Sequence, residues 1–288
     1  MAKILLAEDE HHIAEMIIFK LTNGGHRVVR AHDGEEAVQR VESAGLRFGL
    51  TGSRGLGKFI SGGYQISTVT PDSFAVLSAN GQRVEDLPPS LADDLGETNI
   101  GAFWLRLQAD TRDNVFFTRR GIWGALSVEA ADPQFGGAAQ FTRTIFDGRF
   151  YQPLKNSVIA MRVKAGAISD TAPFYERFYL GGAYSLRGYA ERSLTPAGYG
   201  TRLFLGSVEW RVPVSGRHPQ KPTLMGAVFV DAGSIGNETK KMGEEIFTSF
   251  GFGFRLNVPI LGVVRFDFAY PQQYPEDFRF HLALGHSF

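Results

Sequence analysis

Two carboxylates in the second half of the chain are placed where a cation would have to balance them. Glu209 and Asp231 each stand within a run in which apolar residues alternate with other residues. Because successive side chains of a strand point to opposite faces, both carboxylates face away from the apolar side. On adjacent strands they would lie at similar depth, where a planar guanidinium could bond to both. Arg187 is the candidate, followed by Gly188 for a tight turn and Tyr189 for packing against the inner wall.

The segment that carries Arg187 also has a simpler interpretation. An ordinary external loop would leave its arginine solvated, with no link to Glu209 or Asp231. A carboxylate without a partner is costly only where water is excluded, so the pairing depends on the two acids being buried. The residues by themselves leave both interpretations open.

Other chemistries lack the residues that they need. The chain has no cysteine, so it has no thiolate nucleophile, thiolate metal site or disulfide. It also lacks the Gly-x-Ser-x-Gly, Walker and zinc-binding patterns. Thirty basic residues balance thirty acidic ones, so no overall field attracts nucleic acid. We therefore expect no enzymatic activity, no cofactor and no nucleic-acid partner.

The elements that must position these charges are strands with a period of two. Segments of nine to thirteen residues carry phenylalanine on one face and Gly, Arg, Asp or Glu on the other. A soluble sandwich would alternate as well, but this choice of residues favours a transmembrane antiparallel β-barrel. No apolar run is long enough for a transmembrane helix. In the closing segment the apolar face includes Phe280, Leu282, Leu284 and Phe288.

The alternation predicts about eleven strands, at residues 46–52, 57–68, 99–109, 120–130, 139–150, 157–168, 200–213, 224–235, 247–258, 262–270 and 278–288. Long polar segments at 78–98, 169–199 and 236–245 alternate with mostly tighter turns, which places all three long segments on the external side. An odd number of strands would start residue 46 on that same side. Because bacterial single-chain barrels have an even number, we expect the barrel to be incomplete, with further strands upstream.

Composition divides the chain near residue 45. Residues 1–45 contain one of the 36 aromatic residues and four of the 34 glycines. Their apolar spacing predicts a small α/β fragment with strands at Lys3–Ala7 and Arg27–Ala31, each followed by a helix, the second ending at Gly45. We therefore expect two parts of different origin, an α/β fragment at 1–45 and a mainly β barrel domain at 46–288.

The first part resembles the opening half of a response-regulator receiver domain. The resemblance rests on the run from Ile4 to Glu10 and on the run from Ala31 to Ala37. It implies that Glu8 and Asp9 would hold Mg²⁺ through carboxylate oxygens. The match stops before the third strand, and the phosphate-accepting aspartate of that family has no counterpart. We therefore prefer a solvated acidic turn for these two residues, and the truncation disfavours a phosphorylation-dependent response regulator.

The second part resembles the barrels of the BamA and TamA outer-membrane assembly family, also called bacterial surface antigen barrels. The resemblance rests on four motifs, which are Asp110–Asn114 with Arg120–Gly121, Leu180–Tyr189, Gly206–Glu209 and Phe229–Gly233. It implies an inward-folded loop that braces the lumen, and it implies that the closing strand to Phe288 is a C-terminal recognition signal. The residues of the implied brace are Arg187, Gly188, Tyr189, Glu209, Asp231 and Gly233.

By this resemblance the chain would be an outer-membrane barrel that helps to insert other barrels or to move polypeptides across the membrane. Its partners would be the lipid bilayer, outer-membrane protein clients and periplasmic assembly factors. A weakly closed seam between the first and last strands would offer an edge for client strands. The alternative is the anchoring barrel of a two-part protein, for example one whose patatin-like lipase is absent.

The N-terminus conflicts with this location. The apolar run from Ile4 to Ala7 has four residues and is followed by three acids, which does not resemble a secretory signal. A fusion of two unrelated segments is the interpretation that accounts for both halves.

Overall fold

The computed structural model of the protein describes residues 3–7, 27–31, 40–53, 57–73, 76–77, 83–84, 97–115, 117–196, 199–216, 222–258, 262–273, 278–286 and 288. Strands dominate these residues, and eleven strands form one antiparallel sheet. No helix within the described ranges has the length and apolar composition needed to cross a membrane.

The strands, numbered in chain order, are β1 (Lys3–Ala7), β2 (Arg27–Ala31), β3 (Arg40–Ser53), β4 (Lys58–Ser73), β5 (Val76–Leu77), β6 (Arg83–Val84), β7 (Thr98–Asp110), β8 (Gly121–Ala131), β9 (Phe141–Leu154), β10 (Ser157–Ile168), β11 (Arg202–Ser215), β12 (Leu224–Gly236), β13 (Phe247–Val258), β14 (Gly262–Pro271) and β15 (Arg279–Leu284). The large sheet runs β3-β4-β7-β8 and then in chain order to β15. In the part of the chain that is described, β3 and β15 are its two edges and do not pair with each other, so the sheet is open.

The eleven predicted strands are confirmed as the strands of this sheet. Each predicted range from 46–52 to 278–288 overlaps one observed strand, in the same order. The ends differ most at the two edges, since β3 begins at Arg40 and β15 ends at Leu284. The period of two locates strands well because it reflects which face each side chain occupies.

The two faces of the sheet are opposite in character to those of a water-soluble protein. Apolar side chains on one face, which we call the outer face, are exposed, with 56% of Phe250 accessible. The other face, which we call the inner face, carries buried arginines such as Arg211 and Arg255. In β14 the buried positions include Arg265 and Asp267, and their neighbours along the strand are only half-buried. A soluble sandwich would instead gather its phenylalanines in a dry centre, and this arrangement excludes it.

The long segment between β10 and β11 lies against the inner face. It contains a short 3₁₀ turn at Phe174–Glu176, and most of its described apolar side chains are buried rather than solvated. They join strand residues in one apolar cluster, which includes Phe174, Phe178, Leu180, Leu186, Tyr189, Leu194, Leu203, Leu205, Ile235 and Phe247. This packing carries the Arg187 segment inward and excludes an ordinary external loop at this position.

The turn between β7 and β8 is ordered by its own side chains. Asp113 Oδ1 accepts hydrogen bonds from the backbone N–H groups of Arg119 at 2.9 Å and Arg120 at 3.2 Å. Arg112 pairs with Asp110 at 2.9 Å. A short polar side chain that binds nearby backbone groups adds to the backbone hydrogen bonds that close the turn.

In the first 45 residues, the two predicted strands are found, but the end of the second predicted helix is a strand instead. β1 and β2 pair in parallel, with Lys3 opposite Arg27. Residues 8–26 and 32–39, which hold most of both predicted helices, lie outside the described residues. The extension of the second helix to Gly45 is wrong, because Arg40–Gly45 belong to β3 and pair with β4. Cross-strand pairing overrides the helical spacing that this short segment shows on its own. The division into 1–45 and 46–288, and the receiver-like origin of the first part, stay predictions.

Candidate functional site

The inner face brings three carboxylates together from three strands. Glu209 lies on β11, Asp231 on β12 and Asp267 on β14, and all three are buried. Ser207 stands directly opposite Asp231 in the β11–β12 ladder, and its hydroxyl donates to Asp231 Oδ1 at 2.5 Å. Because neighbouring strands are only about 4.8 Å apart, inward side chains at similar heights are within reach of one cation.

Arg187 reaches these carboxylates from the loop between β10 and β11. Its Nε and Nη2 donate to the two oxygens of Asp231 at 2.7 and 2.8 Å, which is a bidentate pair. Its Nη1 donates to Glu209 Oε2 at 2.9 Å and lies 3.5 Å from Asp267 Oδ2. The guanidinium carbon stands 3.4 Å from the centre of the Phe229 ring. Carboxylate oxygens therefore accept hydrogen bonds from the N–H groups in the guanidinium plane, and an aromatic ring covers one face of the guanidinium.

Gly188 makes the close turn that follows Arg187. Its φ is +90°, and a Cβ there would stand 3.2 Å from the backbone nitrogen of Pro271. The Gly188 N–H donates to Nε2 of His281 on β15 at 2.9 Å. A side chain at this position would be strained by the positive φ and would be crowded against the backbone of the sheet.

Tyr189 ties the other side of the loop tip to the sheet. Its side chain is buried, and its hydroxyl lies 2.9 Å from the backbone oxygen of Thr248 and contacts Oε1 of Gln273. The ring packs edge-on against Phe247, with 5.9 Å between the ring centres. Three successive residues of the loop therefore contact different strands.

Three more arginines surround the same carboxylates. Arg211 Nε lies 2.8 Å from Glu209 Oε1. Arg255 bridges two acids, at 2.9 Å from Glu209 and 2.7 Å from Asp267, and Arg265 lies 3.2 Å from Asp267. Together these groups form what we call the inner-face ion cluster, which consists of Arg187, Arg211, Arg255, Arg265, Glu209, Asp231 and Asp267.

The ion pairs of the cluster keep Arg187 in its charged form. Burial acts to lower the pKa of Arg187, but the attraction of Asp231 and Glu209 outweighs it and keeps that pKa above its usual value. Arg187 is therefore charged, and removing a partner would leave a buried charge uncompensated. Within the described residues no three His, Asp or Glu side chains are grouped so as to hold a metal ion.

The open antiparallel sheet and the loop that is bound to its charged face belong to a stretch of the chain that matches a known protein family. Residues 34–288 match the Omp85 superfamily domain. The chain belongs to the Omp85 superfamily. The match covers all eleven strands of the large sheet, including the part of β3 that precedes residue 46.

Curated members of the Omp85 superfamily resemble the chain over part of their length. Protein TOC75, chloroplastic, of Pisum sativum is 27% identical over 258 residues, which is 80% of this chain and 30% of that protein. The outer membrane protein assembly factor BamA of Neisseria meningitidis serogroup B is 27% identical over 219 residues, which is 61% of this chain and 27% of that protein. The chain therefore spans less than a third of the length of these relatives.

Solved structures of Omp85-like proteins share the fold. BamA from Haemophilus ducreyi lacking POTRA domains 1–3 superimposes with a TM-score of 0.67 at 16% identity, covering 87% of this chain and 55% of that one. CdiB from Acinetobacter baumannii gives a TM-score of 0.52 at 16% identity, covering 85% and 42%. At such low identity the likeness shows the fold alone.

The structure brings the predicted brace residues of this Omp85 chain close to one another. Arg187 contacts both Glu209 and Asp231, as described above. Gly233 on β12 lies beside the same loop, where a Cβ would stand 3.2 Å from the side chain of Leu180. The absence of a side chain at Gly233 therefore permits the close approach of the loop to the sheet.

The apolar residues of the predicted closing strand do not all face outward in the structure. Phe280 and Leu282 are exposed on the outer face, and Leu284 is half-buried. The prediction that Phe288 faces outward is wrong, because Phe288 is 5% exposed. β15 ends at Leu284, and the chain bends at Gly285, whose φ is +81°.

Phe288 instead packs inside the sheet. It forms a buried apolar cluster with Tyr151, Val158 and Ala160 on β9 and β10. Arg211 Nη2 donates to the backbone oxygen of Phe288 at 3.1 Å, and its guanidinium carbon stands 5.1 Å from the ring centre. Period two predicted the wrong face because the alternation ends where the strand ends.

Several members of the ion cluster were not predicted as site residues. The alternation places Arg255, Arg265 and Asp267 on the inner face, so the signal that could have found them is a count of the charges on that face. Their pairing follows from strand register, which the sequence does not show. Glu8 and Asp9, which the receiver resemblance implies as Mg²⁺ ligands and which we interpret as a solvated acidic turn, lie outside the described residues.

Proposed function

We propose that this chain forms the membrane-embedded sheet of an outer-membrane protein that helps to insert other β-barrels or to translocate polypeptides. The observation that carries the proposal is that the sheet exposes its apolar outer face and buries its charged inner face. The loop that carries Arg187 lies against this inner face. Membership of the Omp85 superfamily and the relatives named as outer-membrane assembly factors support it.

The outer face supports the membrane location. Its exposed apolar side chains come from many strands, and they include Phe103, Ile122, Phe150, Met161, Val208, Val230, Phe252 and Leu282. Water would be a poor solvent for so wide an apolar surface, whereas lipid acyl chains cover it at no cost. The partners proposed for this face are therefore the lipids of the outer membrane.

The inner face supports a mechanical role. The ion cluster joins the loop to β11, β12 and β14, and Gly188 joins it to β15. A loop held at these four strands, and at β13 through Tyr189, fixes their relative positions. The edge strand β15 can then present its backbone to an extended client segment, which would add to the sheet by β-augmentation.

The test is assisted folding of a client barrel. The full chain is reconstituted into liposomes, an unfolded eight-stranded outer-membrane barrel is added, and its folding is followed by its altered mobility on unheated gels. Liposomes without protein and liposomes that hold an unrelated barrel serve as controls. We expect faster folding of the client only with this chain. Equal folding rates in all three preparations would refute the proposed function.

A further inference from the structure

The loop tip contacts the backbone of the last strand at a position that strand addition would use. β15 pairs with β14, with Leu284 opposite Val264. The next residue, Gly285, donates its N–H to the backbone oxygen of Val263 at 2.7 Å. In an antiparallel pair, residues that bond to the partner strand alternate with residues whose N–H and C=O point away from it. The N–H and C=O of Leu284 therefore point to the edge of β15 that lies opposite β14.

Tyr184 occupies this edge. Its hydroxyl accepts a hydrogen bond from the Leu284 N–H at 3.3 Å and donates one to the Leu284 carbonyl at 3.4 Å. A phenolic hydroxyl has one donor and can also accept, so one group can serve both. These are the two backbone groups that an added antiparallel strand would bond at this residue. A client strand and Tyr184 cannot bond them at the same time.

The loop holds Tyr184 in place through contacts with the last two strands. Arg265 on β14 donates through Nη2 to the backbone oxygen of Ala183 at 2.8 Å. Its guanidinium carbon lies 5.5 Å from the centre of the Tyr184 ring. Gly188 in the same loop bonds to His281 on β15. Because Arg187 of this loop is fixed in the ion cluster, the position of Tyr184 depends on the same anchorage as the brace.

We propose that Tyr184 is a positioning residue that caps the edge of β15 and so controls the addition of a client strand. The inference rests on the proposed function, because it assumes that β15 receives client strands. The partner is an extended polypeptide segment recognised through its backbone. By the same alternation, Phe280 and Leu282 present their backbone groups along this edge, so a client could pair there first and displace Tyr184 when it reaches Leu284.

The first measurement tests the cap without a client. Tyr184→Phe removes the hydroxyl and keeps the ring beside Arg265, so the variant should fold. The matched control is Tyr270→Phe, because Tyr270 lies on the outer face of β14 and stacks on Phe250. We expect the Leu284 amide to exchange its hydrogen about two- to tenfold faster in Tyr184→Phe, the factor that one modest hydrogen bond supplies, and to be unchanged in Tyr270→Phe. Equal exchange in all three proteins would overturn the cap.

The second measurement tests strand addition. The chain has no cysteine, so Leu282→Cys provides a single attachment point on the exposed outer face of β15. The full chain in liposomes is mixed with a synthetic ten-residue peptide that alternates apolar and polar residues and carries one cysteine activated as a 2-pyridyl disulfide. The thiol introduced by Leu282→Cys displaces 2-thiopyridone in a thiol–disulfide exchange that needs no added oxidant, and the rate of its release is measured. We expect Tyr184→Phe to raise this rate about two- to tenfold, with no change for Tyr270→Phe.

The outcomes separate the two proposals. Cross-linking at the same rate with and without the Tyr184 hydroxyl would overturn the cap and leave strand addition at β15 intact. No cross-linking in any variant would overturn strand addition at β15 and, with it, the proposed control of that addition by Tyr184, whereas the cap itself is decided by the exchange measurement. A faster rate in Tyr184→Phe alone supports both.

Discussion

Arg187→Ala is expected to loosen the sheet through one uncompensated carboxylate. Asp231 is 1% exposed, and among the described residues Arg187 is the cation that pairs with it, through two hydrogen bonds. Glu209 still pairs with Arg211 and Arg255 after this substitution, so the carboxylate left without a cation is mainly that of Asp231. Breaking a buried ion pair by removing one partner costs about 3–5 kcal/mol, which is the expected decrease in the free energy of unfolding.

The assay is urea unfolding of the liposome-reconstituted protein, followed by its mobility on unheated gels. Asp231→Asn in the Arg187→Ala background removes the uncompensated charge. The free energy of unfolding of the double variant should therefore decrease by less than the sum of the decreases in the two single variants. We expect a coupling free energy of about 1–3 kcal/mol in this cycle. The control is Lys240→Ala, which breaks an exposed pair with Glu245 and should cost less than about 1 kcal/mol. Additive losses in the Arg187 and Asp231 cycle would refute the pairing.

Three further changes test other parts of the structure. Gly188→Ala places a Cβ at a φ of +90° and 3.2 Å from the nitrogen of Pro271, so it should lower the free energy of unfolding by about 1–3 kcal/mol in the same urea assay; unchanged stability would contradict the described turn. Val230→Arg places a charge on the exposed outer face of β12 and should reduce stability in liposomes by about 2–4 kcal/mol if that position faces the bilayer centre. A variant that is equally stable in lipid would argue against the membrane location. Phe288→Ala should cost about 3 kcal/mol because the ring is 5% exposed within an apolar cluster, and intact stability would place the ring outside it.

The strands were predictable because their signal is local. A residue in a membrane-spanning strand is apolar or polar according to the face that it occupies, and the membrane preserves this contrast along the whole strand. Residues 250–258 show the pattern, and β13 is found at Phe247–Val258. The inward direction of Glu209 and Asp231 follows from the same period of two, whatever the strands pack against.

The prediction failed where strand pairing or a bend of the chain decided the outcome. Arg40–Gly45 belong to β3 because β4 lies alongside to bond with them. Phe288 is buried because the chain turns at Gly285 after the strand ends. Neither a neighbouring strand nor such a bend is visible in a window of a few residues.

The amino-acid sequence by itself determined the strands, the contrast between the two faces and the set of charges that turn inward. Only the tertiary structure decided which of those charges meet. Asp267 joins the Arg187 group through the register of β13 and β14 and the inward fold of a loop more than 60 residues earlier in the chain. Such contacts depend on distances between segments remote in sequence, and these distances exist only once the sheet has formed.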